Sequence, residues 1–429
     1  MMKILLVNTS NNGGAAKACI RLHQGLLHEG IDSKLLLKEK ATNTIPETYQ
    51  IDLPGRSKKS VIQNKIRKYF PDTRTVRYKK QRQFIKSRSP LLEQFSYPYS
   101  DIDITQSKLY RESDIVHFHW VAHFLDFTSF FQNNTKPVVW TLHDANPFLG
   151  GEHYAERYLG INDKGYPIKR RYTNKEIQES QTISEMKGKT LENVNYIHIV
   201  CPSRWLKNES ENSRLFSKYT HHNIPNGFPA DIFKPLDKNF CREALGIPQD
   251  KYVILFVSES LTVFRKGYEF LKRSISNISK KYKDEVVLCA IGGNNETRSQ
   301  NNFIELGTIS DERLMAVAYA AADIFVIPSL EDNLPNTMIE SLLCGTPVIG
   351  FPTGGIAETI VDSFNGFLCP EINVACLQQT IEKAILHNEH FNRKSIRDDA
   401  YKKYNLSIQA RAYIPLYENI LKTHKNKKP

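Results

Sequence analysis

The chain has 429 residues and a formal charge of +12, from 58 Lys and Arg against 46 Asp and Glu. With 40% hydrophobic, 10% aromatic and 24% charged residues, its composition is globular and excludes a mostly disordered, collagenous or fibrous protein. The length exceeds what one hydrophobic core sustains, so two domains are expected.

The opening Met1-Met2-Lys3-Ile4-Leu5-Leu6-Val7-Asn8 has an apolar run too short for the core of a signal peptide and reads as a strand. Nothing approaches the ~18 uninterrupted apolar residues of a membrane span. Secretion and integral membrane residence are therefore not expected. The seven cysteines (Cys19, Cys201, Cys241, Cys289, Cys344, Cys369 and Cys376) are scattered and form no C-x-x-C. They suit neither a disulfide framework nor a zinc site, and point to a reducing, cytoplasmic compartment.

A first series of unalternating apolar runs predicts strands at Lys3–Val7, Ser33–Leu37, Ile115–His119, Val138–Leu142 and Tyr196–Val200. Runs of this kind belong to strands buried on both faces of a parallel sheet. Between the second and third lies a basic segment. From Arg56 to Arg88 there are thirteen basic residues and one acid, Asp72, a surplus of twelve that equals the excess of the whole chain. Val61, Ile62, Ile66, Tyr69 and Phe70 recur there at helical spacing, and Pro71 ends the run, the pattern of a basic amphipathic helix. Its apolar stripe either docks on its own domain or offers a surface to anionic lipid. Nucleic acid ranks last, because no nucleic-acid module accompanies the patch.

Turn residues cluster at Ile224-Pro225-Asn226-Gly227-Phe228-Pro229, where the interdomain connection is placed. A second strand series follows at Tyr252–Val257, Val286–Ile291, Ile324–Ile327 and Pro347–Gly350. Alternation of strands and helices makes both halves α/β and doubly wound. The expected division is 1–225, with the basic insertion at about 45–110, then 226–405, then a last helix within 406–429. That helix spans about Ser407–Leu421, with Pro415 as an expected kink.

In open parallel sheets ligands bind beyond the carboxyl ends of the strands, so the loops after the strands carry the candidate chemistry. After the first strand, Gly13-Gly14-Ala15-Ala16 opens a helix, where small residues let a phosphate or sugar approach the backbone. After Val138–Leu142, His143-Asp144 is placed for proton transfer or for holding hydroxyls. His117, His119, His123, His143 and His153 lie near one another in sequence, but without H-E-x-x-H context no metal site is assigned. In the second half, Arg265-Lys266-Gly267 sets two cations at a helix start, against the macrodipole. That suits a diphosphate, gripped by Arg through two bonds and by Lys as a point charge. Finally Glu331-Asp332-Asn333-Leu334-Pro335-Asn336 leads from a strand into a helix carrying Glu340. Asp332 on the loop and Glu340 one to two turns into the helix could grip opposite ends of one ligand, with free N–H groups near Asn336 and Thr337 for phosphate or sugar hydroxyls.

These motifs, in this order and spacing, resemble the family 4 retaining glycosyltransferases of the GT-B fold, in which two Rossmann-like domains face each other across a cleft. The resemblance runs from Ile224-Pro225-Asn226-Gly227 through Arg265-Lys266-Gly267, Gly292-Gly293, Pro328-Ser329 and Cys344-Gly345-Thr346-Pro347 to Gly354-Gly355-Ile356-Ala357-Glu358. In the first half, Gly13-Gly14 and Thr141-Leu142-His143-Asp144 fit it too. Asn146-Pro147-Phe148, Gly150-Gly151 and His153-Tyr154 look like a bacterial surface-polysaccharide branch. Two positions depart from the pattern. Asp332 stands where the family's E-x7-E motif has its first Glu, although Glu331 adjoins it. No cation stands near Leu261, where an Arg is common.

The resemblance implies a transfer of a hexose from a nucleoside-diphosphate sugar to a glycan or lipid-linked acceptor, without a metal or other cofactor. By it, Arg265 and Lys266 neutralise the diphosphate and Glu340 holds the ribose. Asp332 or Glu331, with backbone N–H groups from Asn333 to Asn336, holds the hexose. Gly13 and Gly14 lie near the phosphate, His143 contacts the sugar, and Asp144 orients the acceptor. The expected location is cytoplasmic, with Arg56–Arg88 a candidate contact to the inner face of the plasma membrane. Alternative readings are another GT-B enzyme, such as a sugar-nucleotide epimerase or a phosphorylase, and a non-enzymatic protein binding anionic lipid or nucleic acid.

Overall fold

A computed structural model describes residues 2–39, 45–52, 73–155, 157–293, 298–300 and 302–425. The first half contributes strands β1 (Lys3–Asn8), β2 (Asp32–Leu37), β3 (Thr48–Gln50), β4 (Ile115–Phe118) and β5 (Val138–Thr141). After these come a two-stranded antiparallel ribbon, β6 (Tyr158–Ile161) with β7 (Pro167–Lys169), and strands β8 (Ile197–Cys201) and β9 (Thr220–Asn223). The seven-stranded sheet runs β3-β2-β1-β4-β5-β8-β9, with all pairings parallel. The second half supplies β10 (Tyr252–Val257), β11 (Val286–Ile291), β12 (Arg298–Gln300), β13 (Phe303–Glu305), β14 (Ile324–Ile327), β15 (Val348–Gly350) and β16 (Gly366–Leu368). Their order is β12-β13-β11-β10-β14-β15-β16, parallel except for the antiparallel edge strand β12. This is the α/β GT-B architecture of two Rossmann-like domains.

Each sheet is buried on both faces, which is why its central strands read as uninterrupted apolar runs. In the second domain Val253 and Leu255 point into one core, and Ile254 and Phe256 into the other. In the first domain Leu5 and Val7 face one layer, and Ile4 and Leu6 the opposite one. Chain order reverses direction at β1/β4 and at β10/β14, so the loops after these strands open at the two switch points.

Two extended segments join the domains side by side. Phe228 N–H donates to Tyr404 C=O at 2.8 Å, and Leu406 N–H to Phe228 C=O at 3.0 Å. The chain then returns to the first domain as the helix Leu406–Lys425, longer than the sequence pattern predicts and with Pro415 inside it. Ala410, Tyr413, Tyr417 and Ile420 pack with Leu22 and Leu26 of the helix Gly14–His28. Gly25 permits the approach, since a Cβ there would lie 3.1 Å from Ala410 Cβ. Tyr417 hydroxyl reaches His117 Nδ1 at 2.7 Å, and Tyr413 hydroxyl reaches Thr141 Oγ1 at 2.7 Å, beneath β4 and β5.

The helix expected over Val61–Phe70 lies outside the described residues. The described end of the basic segment forms the helix Thr73–Ser87. It docks through Phe84, edge-on to Phe95 (4.9 Å between centroids) and in one cluster with Tyr97 and Ile183. Lys79, Lys80, Arg82 and Lys86 remain exposed.

Replacing Tyr417 with Phe leaves a buried ring nitrogen of His117 without its partner. The expected cost is about 1–3 kcal/mol of stability, read as a lower denaturant midpoint at unchanged slope.

Candidate active site

The cation loop of the second domain is set by a glycine. Phe264–Lys266 is a single 3-10 turn, and Gly267 follows at φ +74°. A Cβ on Gly267 would lie 1.8 Å from Pro328 C=O, so only glycine lets this turn slide under the end of β14. Leu330 N–H donates to Arg265 C=O at 2.8 Å and ties the two loops together. The acidic loop is pressed down in turn on Gly354 and Gly355. Gly355 N–H donates to Asn333 C=O at 2.7 Å, and a Cβ on Gly355 would lie 1.9 Å from that oxygen.

These constraints bring the predicted charges together. Lys266 Nζ sits 2.6 Å from Asp332 Oδ2, and Arg265 Nη1 lies 3.4 Å from the same oxygen. Arg265 also bonds the Glu331 carbonyl, donates from Nε to Glu93 Oε1 at 2.7 Å, and lies over the Tyr154 ring at 3.7 Å from its centroid. Glu93 and Tyr154 belong to the first domain, so the guanidinium is enclosed from both sides. Burial alone would raise the Asp332 pKa, but Lys266 and Arg265 hold it below the usual carboxylate value. Burial disfavours the charge on Arg265, yet Tyr154, Glu93 and Asp332 outweigh it and leave its pKa raised.

The rest of the acidic loop is clasped by the first domain. Asn333 Nδ2 donates to Leu142 C=O (3.2 Å) and His143 C=O (3.3 Å), and Asn333 Oδ1 accepts from Ser203 Oγ at 2.6 Å. Glu331 Oε1 accepts from Ala155 N–H at 3.1 Å. Asn336 Nδ2 donates to Gly14 C=O at 2.9 Å, beside Gly13 at φ +88°, which starts the helix Gly14–His28. Leu334 is buried in the second core, and Pro335 caps the helix Asn336–Leu343.

His143 and Asp144 take separate partners rather than pairing with each other. His143 Nε2 lies 2.9 Å from His119 Nδ1, with the rings stacked. Asp144 Oδ2 accepts from His153 Nδ1 at 2.6 Å and from Trp120 Nε1 at 2.9 Å, and its Oδ1 accepts from Asn146 N–H at 3.0 Å. Beside Asp144 is a recess lined by Tyr97, Trp120, Phe127, Trp140 and Lys187. Lys187 is buried, and donates to Asn146 C=O (2.6 Å) and Leu149 C=O (2.8 Å). Burial pushes its pKa down to about 7, opposed by Asp144. The histidines near one another in sequence are thus bonded to each other and to hydroxyl and carboxylate groups. Among the described residues no group of three or more His, Cys, Asp or Glu is arranged to hold a metal ion.

Glu340 faces a residue that the sequence pattern does not single out. Arg21, on the helix Gly14–His28, donates from Nη2 to Glu340 Oε1 at 2.8 Å and to Glu312 Oε1 at 2.6 Å. The other oxygen of Glu340 accepts from Tyr319 hydroxyl at 3.1 Å. The guanidinium lies over Phe228 (4.7 Å) and Phe233 (5.4 Å). Arg21 and Glu93 are among the residues around the site that the sequence did not single out, together with Trp120, Lys187, Ser203, Glu312 and Tyr319, and no local motif marks them.

Residues 237–403, within the second domain, match the family model described as glycosyl transferases group 1. Over 159 residues, 33% of this chain and 37% of the relative, the sequence is 30% identical to D-inositol 3-phosphate glycosyltransferase 2 of Catenulispora acidiphila. The chain spans well under two thirds of the length of the curated relatives it matches. In fold it is similar to sucrose-phosphate synthase of Thermosynechococcus elongatus, with TM-score 0.68 and 17% identity over 99% of this chain and 100% of that one. It is likewise similar to HepE of Anabaena, solved in complex with UDP and glucose, with TM-score 0.64 and 15% identity over 97% and 100% of the two chains.

Burial depresses the His117 pKa to about 3 and that of His143 to about 4, and holds His119 well below its ordinary value. These rings stay neutral in the folded chain and gain a proton on unfolding. Their contribution to stability is complete above about pH 6.5 and is lost as pH falls towards 4. Unfolding free energy should drop across that window by up to about 1.4 kcal/mol per pH unit for each ring, measured by denaturant titration at stepped pH.

Proposed function

We propose that the chain is a retaining glycosyltransferase that moves a hexose from a nucleoside-diphosphate sugar to a glycan or lipid-linked acceptor in bacterial surface-polysaccharide synthesis. The observation that carries this reading is the convergence of Arg265, Lys266 and Asp332 at the carboxyl ends of β10 and β14, under the closing face of the first domain. A diphosphate leaving group gains negative charge as its bond to the anomeric carbon breaks. Two cations fixed beside it stabilise that charge without reorganising, so the reaction needs no metal ion. Asp332 and the adjoining backbone N–H groups hold the donor sugar, and Glu340 accepts from the ribose. The acceptor oxygen attacks from the side on which the diphosphate departs, and its proton passes to the leaving phosphate oxygen. The acceptor lies against the recess beside Asp144, whose lining includes Tyr97 and Trp120. The carboxylate separation that a hydrolase uses to place water has no part in this scheme.

Lys266 is partly exposed, so its removal should spare the fold. Lys266→Ala is expected to lower transfer by about 10²–10³ with an unchanged melting temperature, in a screen of UDP-, GDP- and ADP-sugars with the anomer of the product read by NMR. Near-normal turnover would overturn the site assignment, and an inverted anomer would overturn retention.

The helix Thr73–Ser87 supports a peripheral membrane location. It exposes Val76 and Ile85 among Lys79, Lys80, Arg82 and Lys86, and no helix among the described residues is long and apolar enough to cross a bilayer. Binding to vesicles rich in phosphatidylglycerol should fall steeply between 50 mM and 500 mM salt, about the range over which screening sets in. Salt-insensitive or absent binding would make this face ordinary surface.

A further inference from the structure

Arg21 is anchored in the first domain, yet its ionic partners Glu340 and Glu312 lie in the second. The rings beneath it, Phe228 and Phe233, lie at the connection. It is 3% exposed, so it is buried only while the two domains are together. With the domains apart, the guanidinium and both carboxylates would be hydrated. Seven residues earlier on the same helix, Gly14 meets Asn336, four residues before Glu340. One helix from each domain therefore touches the other at two points, and Arg21–Glu340 is the charged one.

Such a pair is not a permanent clamp. The cost of desolvating two ions roughly offsets their attraction in a protein interior. Here the balance is worse than usual, because Arg21 Nε and Nη1 and the Oδ1 of neighbouring Asn226 are buried without hydrogen-bond partners. The closed arrangement without ligand thus carries uncompensated polar groups. A ligand that adds hydrogen bonds at Glu340 shifts the balance towards closure, since a ligand moves a conformational equilibrium by its differential affinity for the two states.

Building on the donor-site reading above, we infer that Arg21 is a positioning residue. It fixes the Glu340 carboxylate for the vicinal diol of the nucleotide ribose, and so makes nucleotide binding and domain closure one event. Lysine cannot replace it fully, because the flat guanidinium also lies over the Phe228 and Phe233 rings, a place that a compact, strongly hydrated ammonium fits less well.

The test uses the full chain with UDP, GDP and ADP, read by calorimetric titration and by the change in radius of gyration in small-angle scattering. The wild type should bind one of these and become more compact. Arg21→Gln and Glu340→Gln should each bind that nucleotide at least about tenfold more weakly and lose the compaction. In turnover assays, Arg21→Gln should raise the donor KM more than it lowers kcat. If Arg21→Gln proves unfolded, Arg21→Lys keeps the charge and is expected to fold, to bind about tenfold more weakly and to compact less. Wild-type binding and compaction by either Arg21 variant would overturn the inference. Weakened binding by Arg21→Gln with wild-type behaviour of Glu340→Gln would overturn the assignment to Glu340. Failure of the wild type to bind any nucleoside diphosphate would instead remove the donor-site reading, and this inference with it.

Discussion

The amide of Asn333 is buried, and the partners that satisfy it belong to the other domain: Leu142 C=O, His143 C=O and Ser203 hydroxyl. A buried amide without partners is costly. The acidic loop therefore has two acceptable environments, solvent or the far side of the cleft, and little in between. The same constraint governs Arg265 with Glu93 and Arg21 with Glu340. These cross-domain contacts are made by polar groups that water could serve nearly as well, so forming them changes the free energy little, while Tyr158 and Ile161 of the ribbon add apolar contact to the second core. Polar contacts of this kind cost little to break and to remake.

Within the closed cleft the two cations of the loop are already paired. Lys266 and Arg265 are held by Asp332 and Glu93, and both carboxylates compete with any anion that enters. The cluster is thereby preorganised rather than idle. The positive charges stand at fixed positions on glycine-bounded turns, where an anion could exchange one set of oxygen partners for another. Asp332 is one methylene shorter than the Glu of the resembling family. The loop reaches the cations nevertheless, because Gly354 and Gly355 let its backbone settle against the start of the helix Gly354–Thr359, where side chains would collide with the carbonyls of Asp332 and Asn333.

Much of this was legible in sequence, and the illegible parts share a cause. The central strands of both sheets announce themselves because burial on both faces demands uninterrupted apolar residues. The edge strands do not. Thr48-Tyr49-Gln50 and Thr220-His221-His222-Asn223 are half-exposed and polar, and only their neighbours make them strands. Loop residues just beyond strand ends were found, because topology dictates where to look. Arg21 was not, since a lone Arg inside an amphipathic helix has the pattern of a solvated face, and its partner lies 319 residues away. The separate partners of His143 and Asp144 were equally hidden. Adjacent in sequence, the two side chains leave a strand end in different directions, and each finds a partner from another loop.

That divergence ties the site to the far end of the chain. His117 and His119 are alternate residues across the end of β4, with ring centroids 4.4 Å apart. His119 supports His143 at the cleft, while His117 bonds Thr141 and Tyr417 in the interior. Rings so deeply buried stay neutral, and a neutral imidazole both donates and accepts. His117 therefore links a donor on one side to an acceptor on the other, between Tyr417 and Thr141. The helix Leu406–Lys425, last in sequence, thus reaches the floor of the loop that carries His143 and Asp144. Its two tyrosines fill the space beneath β4 and β5, and their hydroxyls complete the hydrogen bonds that the strand residues above them cannot make with one another.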